Sequence, residues 1–336
     1  MVLTPATTTK AAGPSEAAGL LGGKQIRGMI LGGSQGDPVA SIADFPRLKS
    51  MGVNMVSVYI FVPMTTPYSN SLNFRRAAPG DNQLRLIAGM AHLHGLAVQF
   101  MPMPRVTDRV IWRGKIQPSN VDAFFSSYSA MVQHYVKLAN QMRVEMLAIG
   151  SELTSLQGYT AKWRSLGAWT NNHYRGVTTY MATAPMVFEI PWWDAVDMIS
   201  VSPYYSLSRA AIPSVSDMVR SWRQSYLPPL ANLSKRFHRP ILFDEIGYAS
   251  VEYTAHKPAV SFREGHPPSE LAQANAYRAL LQAMAGQSWL RGVFWWHWGD
   301  PRARGFRTSY LMRDKQAECV LTNYWSNNRC LSASRP

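Results

Sequence analysis

Two stretches of this chain end an apolar run in an acid. Leu147-Ala148-Ile149-Gly150-Ser151-Glu152-Leu153 follows a helical segment and reads as a buried parallel strand that delivers Glu152 at its C-terminal end. Pro240-Ile241-Leu242-Phe243-Asp244-Glu245-Ile246-Gly247-Tyr248 repeats the pattern, with Glu245 at the mouth and Gly247 marking the turn out. Two carboxyl groups facing each other over a sugar are what cleavage of a glycosidic bond needs. One protonates the leaving oxygen; the other attacks the anomeric carbon when configuration is retained, and the pair then stands about 5–5.5 Å apart. The acid has to hold its proton near neutral pH, while the nucleophile has to stay ionised and hydrogen-bonded. Position in the chain leaves open which is which.

The elements that must position these acids alternate along the chain. Gln25 to Leu31 reads as strand one, halted by Gly32-Gly33, and helical spacing follows from Ala40 to Met51, with Gly52 as its stop. Strand two is Val53 to Val62, and a helix from Asp81 to His94 ends at Gly95. Leu96 to Met101 is strand three, interrupted by Pro102 and Pro104. Ser119 or Asn120 caps a long helix over Val121 to Arg143, with Phe124, Tyr128, Met131 and Tyr135 in register on one face. Strand four then delivers Glu152. A helix over Tyr159 to Tyr174, strand five over Thr178 to Thr183, strand six over Asp197 to Val201 and a helix over Ser214 to Phe237 precede the strand that carries Glu245. A helix over Ser269 to Ala285 and strand eight over Gly292 to Trp296 complete the series. Eight strands alternating with helices predict an α/β fold, a (β/α)8 barrel, whose fourth and seventh strands open across its mouth from one another.

With 336 residues the chain is long enough for one such domain and a short tail. Residues 1–24, from the Thr4-Pro5-Ala6 opening to Gly22-Gly23, read as a flexible leader, residues 25–326 as the catalytic domain and 327–336 as a tail. The 11 Trp are a high count that suits sugar-binding clefts, although any single one is more often core. A formal charge of +14 favours anionic partners, but the surplus is scattered, with no run of five like charges and no basic helix stripe, so no nucleic-acid binding is expected. No stretch reaches membrane-span length and no basic-then-apolar signal opens the chain, so no membrane association is expected. The leader fits a remnant of a removed signal and an extracellular site of action, with the cytoplasm as the alternative. Cys319 and Cys330 are either a disulfide closing the last segment or two separate thiols, and two ligands are too few for zinc.

Gly150-Ser151-Glu152-Leu153, Trp112-Arg113-Gly114, Phe243-Asp244-Glu245-Ile246-Gly247-Tyr248 and the closing Lys315-Gln316-Ala317-Glu318 resemble the pattern of glycoside hydrolase family 113, the β-mannanases of clan A, over about Arg27 to Trp325. The resemblance implies a retaining endo-β-1,4-mannanase in which Glu152 is the general acid/base and Glu245 the nucleophile. Ser151 stands where much of the clan has Asn, as in the narrower family. The clan's tyrosine after strand six matches Tyr204 or Tyr205, with Tyr204 favoured, and its sugar platform matches Trp296, with Trp298 or Trp295 as alternatives. Trp112, Ser151, Tyr204, Tyr205, Trp296 and Trp298 are thus the expected substrate-binding residues. The implied partner is a polysaccharide or oligosaccharide, taken by a monomer without a cofactor. Other β-linked glycans, or a barrel that binds polysaccharide without cutting it, are the alternatives.

An acid at a strand end can equally be a helix cap or half of an ion pair; two in separate matched motifs make that reading the weaker one. Asp244 is expected to orient a neighbour, Tyr248 and Trp112 either to line the cleft or to pack, and His297 to be structural. No cluster has the spacing of metal ligands.

Overall fold

The computed structural model describes residues 25–32, 37–260, 265–302, 305–326, 328 and 330, so the expected leader lies outside the described residues, as does nearly all of the tail. Eight parallel strands close into a barrel in sequence order. They are β1 (Ile26–Leu31), β2 (Met55–Met64), β3 (Ala97–Val106), β4 (Met146–Ser151), β5 (Val177–Thr183), β6 (Met198–Ser202), β7 (Ile241–Ile246) and β8 (Leu290–Trp298). The helices are α1 (Phe45–Ser50), α2 (Asp81–Leu93), α3 (Val121–Met142), α4 (Thr160–His173), α5 (Val215–Ser221), α6 (Leu227–Phe237), α7 (Glu270–Met284) and α8 (Gln316–Trp325). The fold is a (β/α)8 barrel, as the strand count predicts.

Two elements differ from expectation. First, β3 runs through Pro102 and Pro104 and pairs with β2 as far as Val106. The Thr107 amide donates to Met64 and the Ala97 amide to Asn54, so odd-numbered amides of β3 face β2. The two prolines sit at even positions, where an amide would face β4, and the β3–β4 ladder has already ended at Phe100↔Leu147. Neither proline removes a ladder bond. Second, the single helix expected over 214–237 runs on without a gap but carries a π-helical segment, Trp222–Tyr226, before Pro228 and Pro229 enter the first turn of α6. The sequence marks no helix between strands five and six, and no α-helix lies between β5 and β6. Two 3₁₀ turns fill that place, and the second follows Trp192, whose ring stacks on Trp163 at 5.0 Å beside Trp193 and Tyr180. A slab of buried aromatic rings does there what a helix face does elsewhere.

The barrel interior is soft and mostly apolar. Met55, Met101, Met103, Met146, Met181 and Met198 fill it with Ile26, Ile30, Leu242 and Phe294. Gly28 leaves room for the Phe294 ring, which a β-carbon at that position would approach to 2.3 Å. At the N-terminal end of the barrel, Arg27 on β1 donates from Nη1 to the Trp325 carbonyl at 2.8 Å, fastening α8 beneath the strands. Cys319 and Cys330 form a disulfide there.

Candidate active site

Glu152 follows the last residue of β4 and stands at the C-terminal mouth. Its backbone is in the left-handed region, φ 50°, a conformation that β-carbon sterics disfavour and that local contacts must maintain. Its amide donates to the Met181 carbonyl at 2.7 Å and the next amide to the Tyr180 hydroxyl at 3.0 Å, which anchors the turn on β5. The carboxylate is held on both oxygens. Ser202, the last residue of β6, donates to Oε1 at 2.8 Å; Trp112 Nε1 lies 2.9 Å from Oε2 and Arg113 Nη2 3.1 Å from it. The Trp112 ring lies directly over Gly114, where a β-carbon would come within 2.3 Å of it. The Trp112-Arg113-Gly114 triplet is therefore one device: ring, charge and the space for the ring.

Glu245 sits in β7. Tyr59, on β2, donates to Oε2 at 2.5 Å, and Tyr204, after β6, donates to Oε1 at 3.0 Å. Both tyrosine pKa values are pushed up, first by burial and then by the charge of Glu245, so both remain donors. Burial above all, and the charge of Glu152 next, push Glu245 up to about 7, against the two tyrosine bonds and the charge of Arg113. The charge of Glu152 thus acts on Glu245 across the mouth. Arg113 ion-pairs with one acid and acts electrostatically on the other, so the two share one electrostatic site.

The structure sorts the remaining expected residues. Trp112 is exposed at the mouth, and Trp296 is half-buried with its ring 5.5 Å from that of Tyr59. Ser151 is fully buried; its hydroxyl and carbonyl take the Arg113 Nε at 3.2 and 3.1 Å, so it orients that arginine and does not face the cleft. Tyr205 turns the other way from Tyr204, stacking on Tyr226 at 4.1 Å and packing edge-on against Trp222 in the helical layer. Trp298 is fully buried, donating to Asp44 at 3.0 Å between the guanidinium groups of Arg47 and Arg313, and does not open on the cleft. Trp295 stacks on Tyr277 at 3.9 Å behind the strand, and Tyr248 is core. Three contributors were not assigned from sequence: Tyr59, Ser202 and the guanidinium of Arg113. A phenol inside the apolar run of β2, on the face that looks into the barrel, is the signal that marks Tyr59. Among the described residues no group of three or more His, Cys, Asp or Glu could hold a metal ion.

The sequence profile described as Glycoside Hydrolase Family 113 matches residues 35–309. No curated protein sequence matches the chain. Among solved structures, a β-1,4-mannanase of that family superposes with a TM-score of 0.78 at 24% identity, covering 91% of this chain and 100% of its own. The family 113 β-mannanase of Alicyclobacillus acidocaldarius, solved in complex with ManMIm, gives 0.77 at 26% identity over 90% and 97%. A structure of fungal β-1,4-galactanases gives 0.53 at 16% identity over 93% and 97%, a likeness of fold alone. With its profile match covering residues 35–309, which include strands β2 to β8, the chain belongs to glycoside hydrolase family 113.

Proposed function

We propose that this glycoside hydrolase is a retaining endo-β-1,4-mannanase in which Glu245 is the nucleophile and Glu152 the general acid/base. The observation that carries the reading is that both carboxyl groups stand at one barrel mouth, Glu152 after β4 and Glu245 in β7, with Arg113 ion-paired to the first and acting electrostatically on the second; the two roles follow the family pattern. Glu245 accepts one phenol on each oxygen, at 2.5 and 3.0 Å, which favours the ionised form and aims it. Glu152 has an indole N–H and a guanidinium on one oxygen and a hydroxyl on the other. These stabilise the carboxylate that appears once its proton has gone to the leaving sugar oxygen.

In the first step a Glu245 oxygen bonds to the anomeric carbon as the glycosidic bond breaks, and the Glu152 proton moves to the departing hydroxyl. In the second, Glu152 takes a proton from water, whose oxygen displaces Glu245 and restores it. The mannan preference is supported by the two family 113 mannanases of like fold.

Variants at the two acids test the mechanism. Glu245→Ala should abolish turnover, and azide should not restore a β-glycosyl product; Glu152→Ala should be rescued by azide with retained configuration. Unaltered hydrolysis in either variant ends the assignment. Reducing ends released from mannan, glucomannan, β-glucan, xylan and galactan test the sugar, and product lengths test whether cleavage is internal.

A further inference from the structure

On one wall of the mouth an arginine stands without an acidic partner. The side chains that enter the barrel from β2 include Met55, Tyr59 and Phe61, and those from β3 include Met101 and Met103. Side chains alternate along a strand, so Arg105 takes the next inward place on β3, at the C-terminal mouth. Its exposure agrees, since Pro104 and Val106 on either side of it are buried. The guanidinium carbon of Arg105 lies over the Phe61 ring, 5.1 Å from its centroid. Phe61 in turn packs edge-on against Tyr59 at 6.5 Å, and Tyr59 is the phenol that donates to Glu245. Arg105 therefore sits on the same wall as the Tyr59–Glu245 contact, one aromatic ring above it. Among the described residues it makes no hydrogen bond and no ion pair. A guanidinium laid on an aromatic face keeps its in-plane N–H fork free for a ligand.

The loops that continue this wall are basic. Residues 65–80 and 107–120, which follow β2 and β3, carry Arg75, Arg76, Arg109, Arg113 and Lys115 against one acid, Asp108. Asp108 is taken by Arg109, and Arg113 pairs with Glu152. Arg75, Arg76 and Lys115 make no ion pair among the described residues. Arg75 and Arg76 line a cavity of about 560 Å³ between the two loops, beside Asn73 and Thr107. The wall thus sets a positive field next to the catalytic acids, in a chain whose formal charge is +14. Neutral sugars offer these cations no charge to meet. A carboxylate offers the free fork of Arg105 two oxygens in one plane, the geometry a guanidinium binds best.

We infer that the glycan cleaved by this enzyme carries carboxylate groups, as uronic acid residues, and that Arg105 binds one of them on a sugar near the one at Glu245. The inference rests on the proposed β-glycan hydrolysis at Glu245 and names the class of its substrate. Phe61 supports the guanidinium from below, while Arg75, Arg76 and Lys115 draw the polyanion towards the mouth.

Glucomannan oxidised at C6, so that a fraction of its sugars carry carboxylates, and the same preparation reduced back to the alcohol differ in charge alone. Wild type should show a kcat/KM at least about threefold higher on the oxidised glycan at low ionic strength, chiefly through KM, and the preference should shrink as salt rises. Arg105→Gln keeps N–H donors but loses the charge, and should bring the ratio close to one; Arg105→Lys should keep part of the preference. Arg236→Ala removes the same charge from the exposed last turn of α6, at the opposite end of the barrel, and should leave the ratio as it is. A wild-type ratio below about threefold, or a ratio in Arg105→Gln as high as in wild type, overturns the proposal. Affinity electrophoresis through the two glycans needs no turnover: the oxidised one should retard wild type more than Arg105→Gln, and equal retardation also overturns the proposal. If neither glycan is cleaved while that difference in retardation stands, the mannanase reading falls and the carboxylate site remains.

Discussion

Tyr59 and Glu245 meet across the barrel mouth, phenol oxygen to Oε2, at 2.5 Å, while Tyr204 takes the other carboxylate oxygen at 3.0 Å. Glu245, the proposed nucleophile, is thus clamped from β2 and from the loop after β6, so that rotation of its carboxylate breaks both bonds at once. When one oxygen becomes the ester to the sugar, its phenol loses part of an acceptor while the other phenol keeps its own. The clamp therefore orients the group before attack and leaves one contact to hold the intermediate.

Removing one phenol hydroxyl should show both effects. A hydrogen bond to a charged group contributes about 1.5–3 kcal/mol, so Tyr59→Phe should lower kcat/KM by roughly 10- to 150-fold. The bond favours the charged form of Glu245, so losing it raises the pKa of that carboxyl, and the acid limb of the kcat/KM profile should move to higher pH. A pH–rate series on wild type and variant checks both. An unmoved acid limb would mean that Tyr59 packs without tuning.

Trp112 joins a ring at the mouth to an N–H on Glu152, and two substitutions separate these functions. Trp112→Phe keeps an aromatic face and loses the donor, so kcat on the glycan the enzyme cleaves should fall about tenfold, the loss of one such bond, with KM held within about twofold. Trp112→Ala loses the face as well and should raise KM in addition. Steady-state kinetics on one polysaccharide decide between them: equal KM changes in both variants would place all of the effect in stacking.

The strands were legible because each is a short apolar run between turn signals, and the two acids because each ends such a run. What escaped was set by tertiary context. The prolines of β3 look like breakers until the register shows their missing amides facing away from β2, beyond the end of the β4 ladder. The π-helical turn at Trp222–Tyr226 lies inside a continuous helix, so the helical spacing of its flanks gives no sign of it. Tyr59 sits in a β-branched run where an aromatic is ordinary packing, and only barrel closure brings it to Glu245. Trp298 shows the reverse error: proximity to the end of β8 suggested a platform, whereas its indole faces Asp44 on the outer side. Strand ends are readable from local sequence; the direction in which a side chain leaves them depends on neighbours distant in the chain.

The disulfide offers a test of the lower face. Cys319 on α8 bonds Cys330, eleven residues on, and Asn323 exchanges two hydrogen bonds with the Cys330 backbone at 2.8 and 3.2 Å. Closing so short a loop is worth about 3 kcal/mol on the chain-entropy account. Cys319→Ser should therefore lower Tm by roughly 6–12 °C, at about 2–4 °C per kcal/mol. Because α8 is fastened to the start of β1, opposite the mouth that holds Glu152, kcat should stay unchanged at temperatures well below the transition. Calorimetry with and without reductant, beside initial rates, checks both; a large loss of kcat at low temperature would show that α8 reaches the site.

Lys315 makes stability depend on pH in an unusual direction. Its side chain is buried, with Nζ donating to Ser250 Oγ at 2.7 Å, to the Phe306 carbonyl at 2.5 Å and to the Ser309 carbonyl at 3.4 Å, above the Phe306 ring. All of these partners are uncharged. Burial lowers its pKa from 10.5 to about 7, and the charge of Glu270 offsets only part of that. As pH falls from about 10.5 to about 7, the unfolded chain takes up a proton that the folded chain does not. The unfolded state binds more protons in that window, so the Lys315 contribution to stability declines as pH falls through it and is flat below about 7. Lys315→Met removes the titrating group, so the difference in Tm between wild type and variant should shift in favour of the variant from pH 10 to pH 7 and then stay constant. Thermal melts across that range check it: a difference independent of pH would mean that the ammonium is as well accommodated inside the fold as in water.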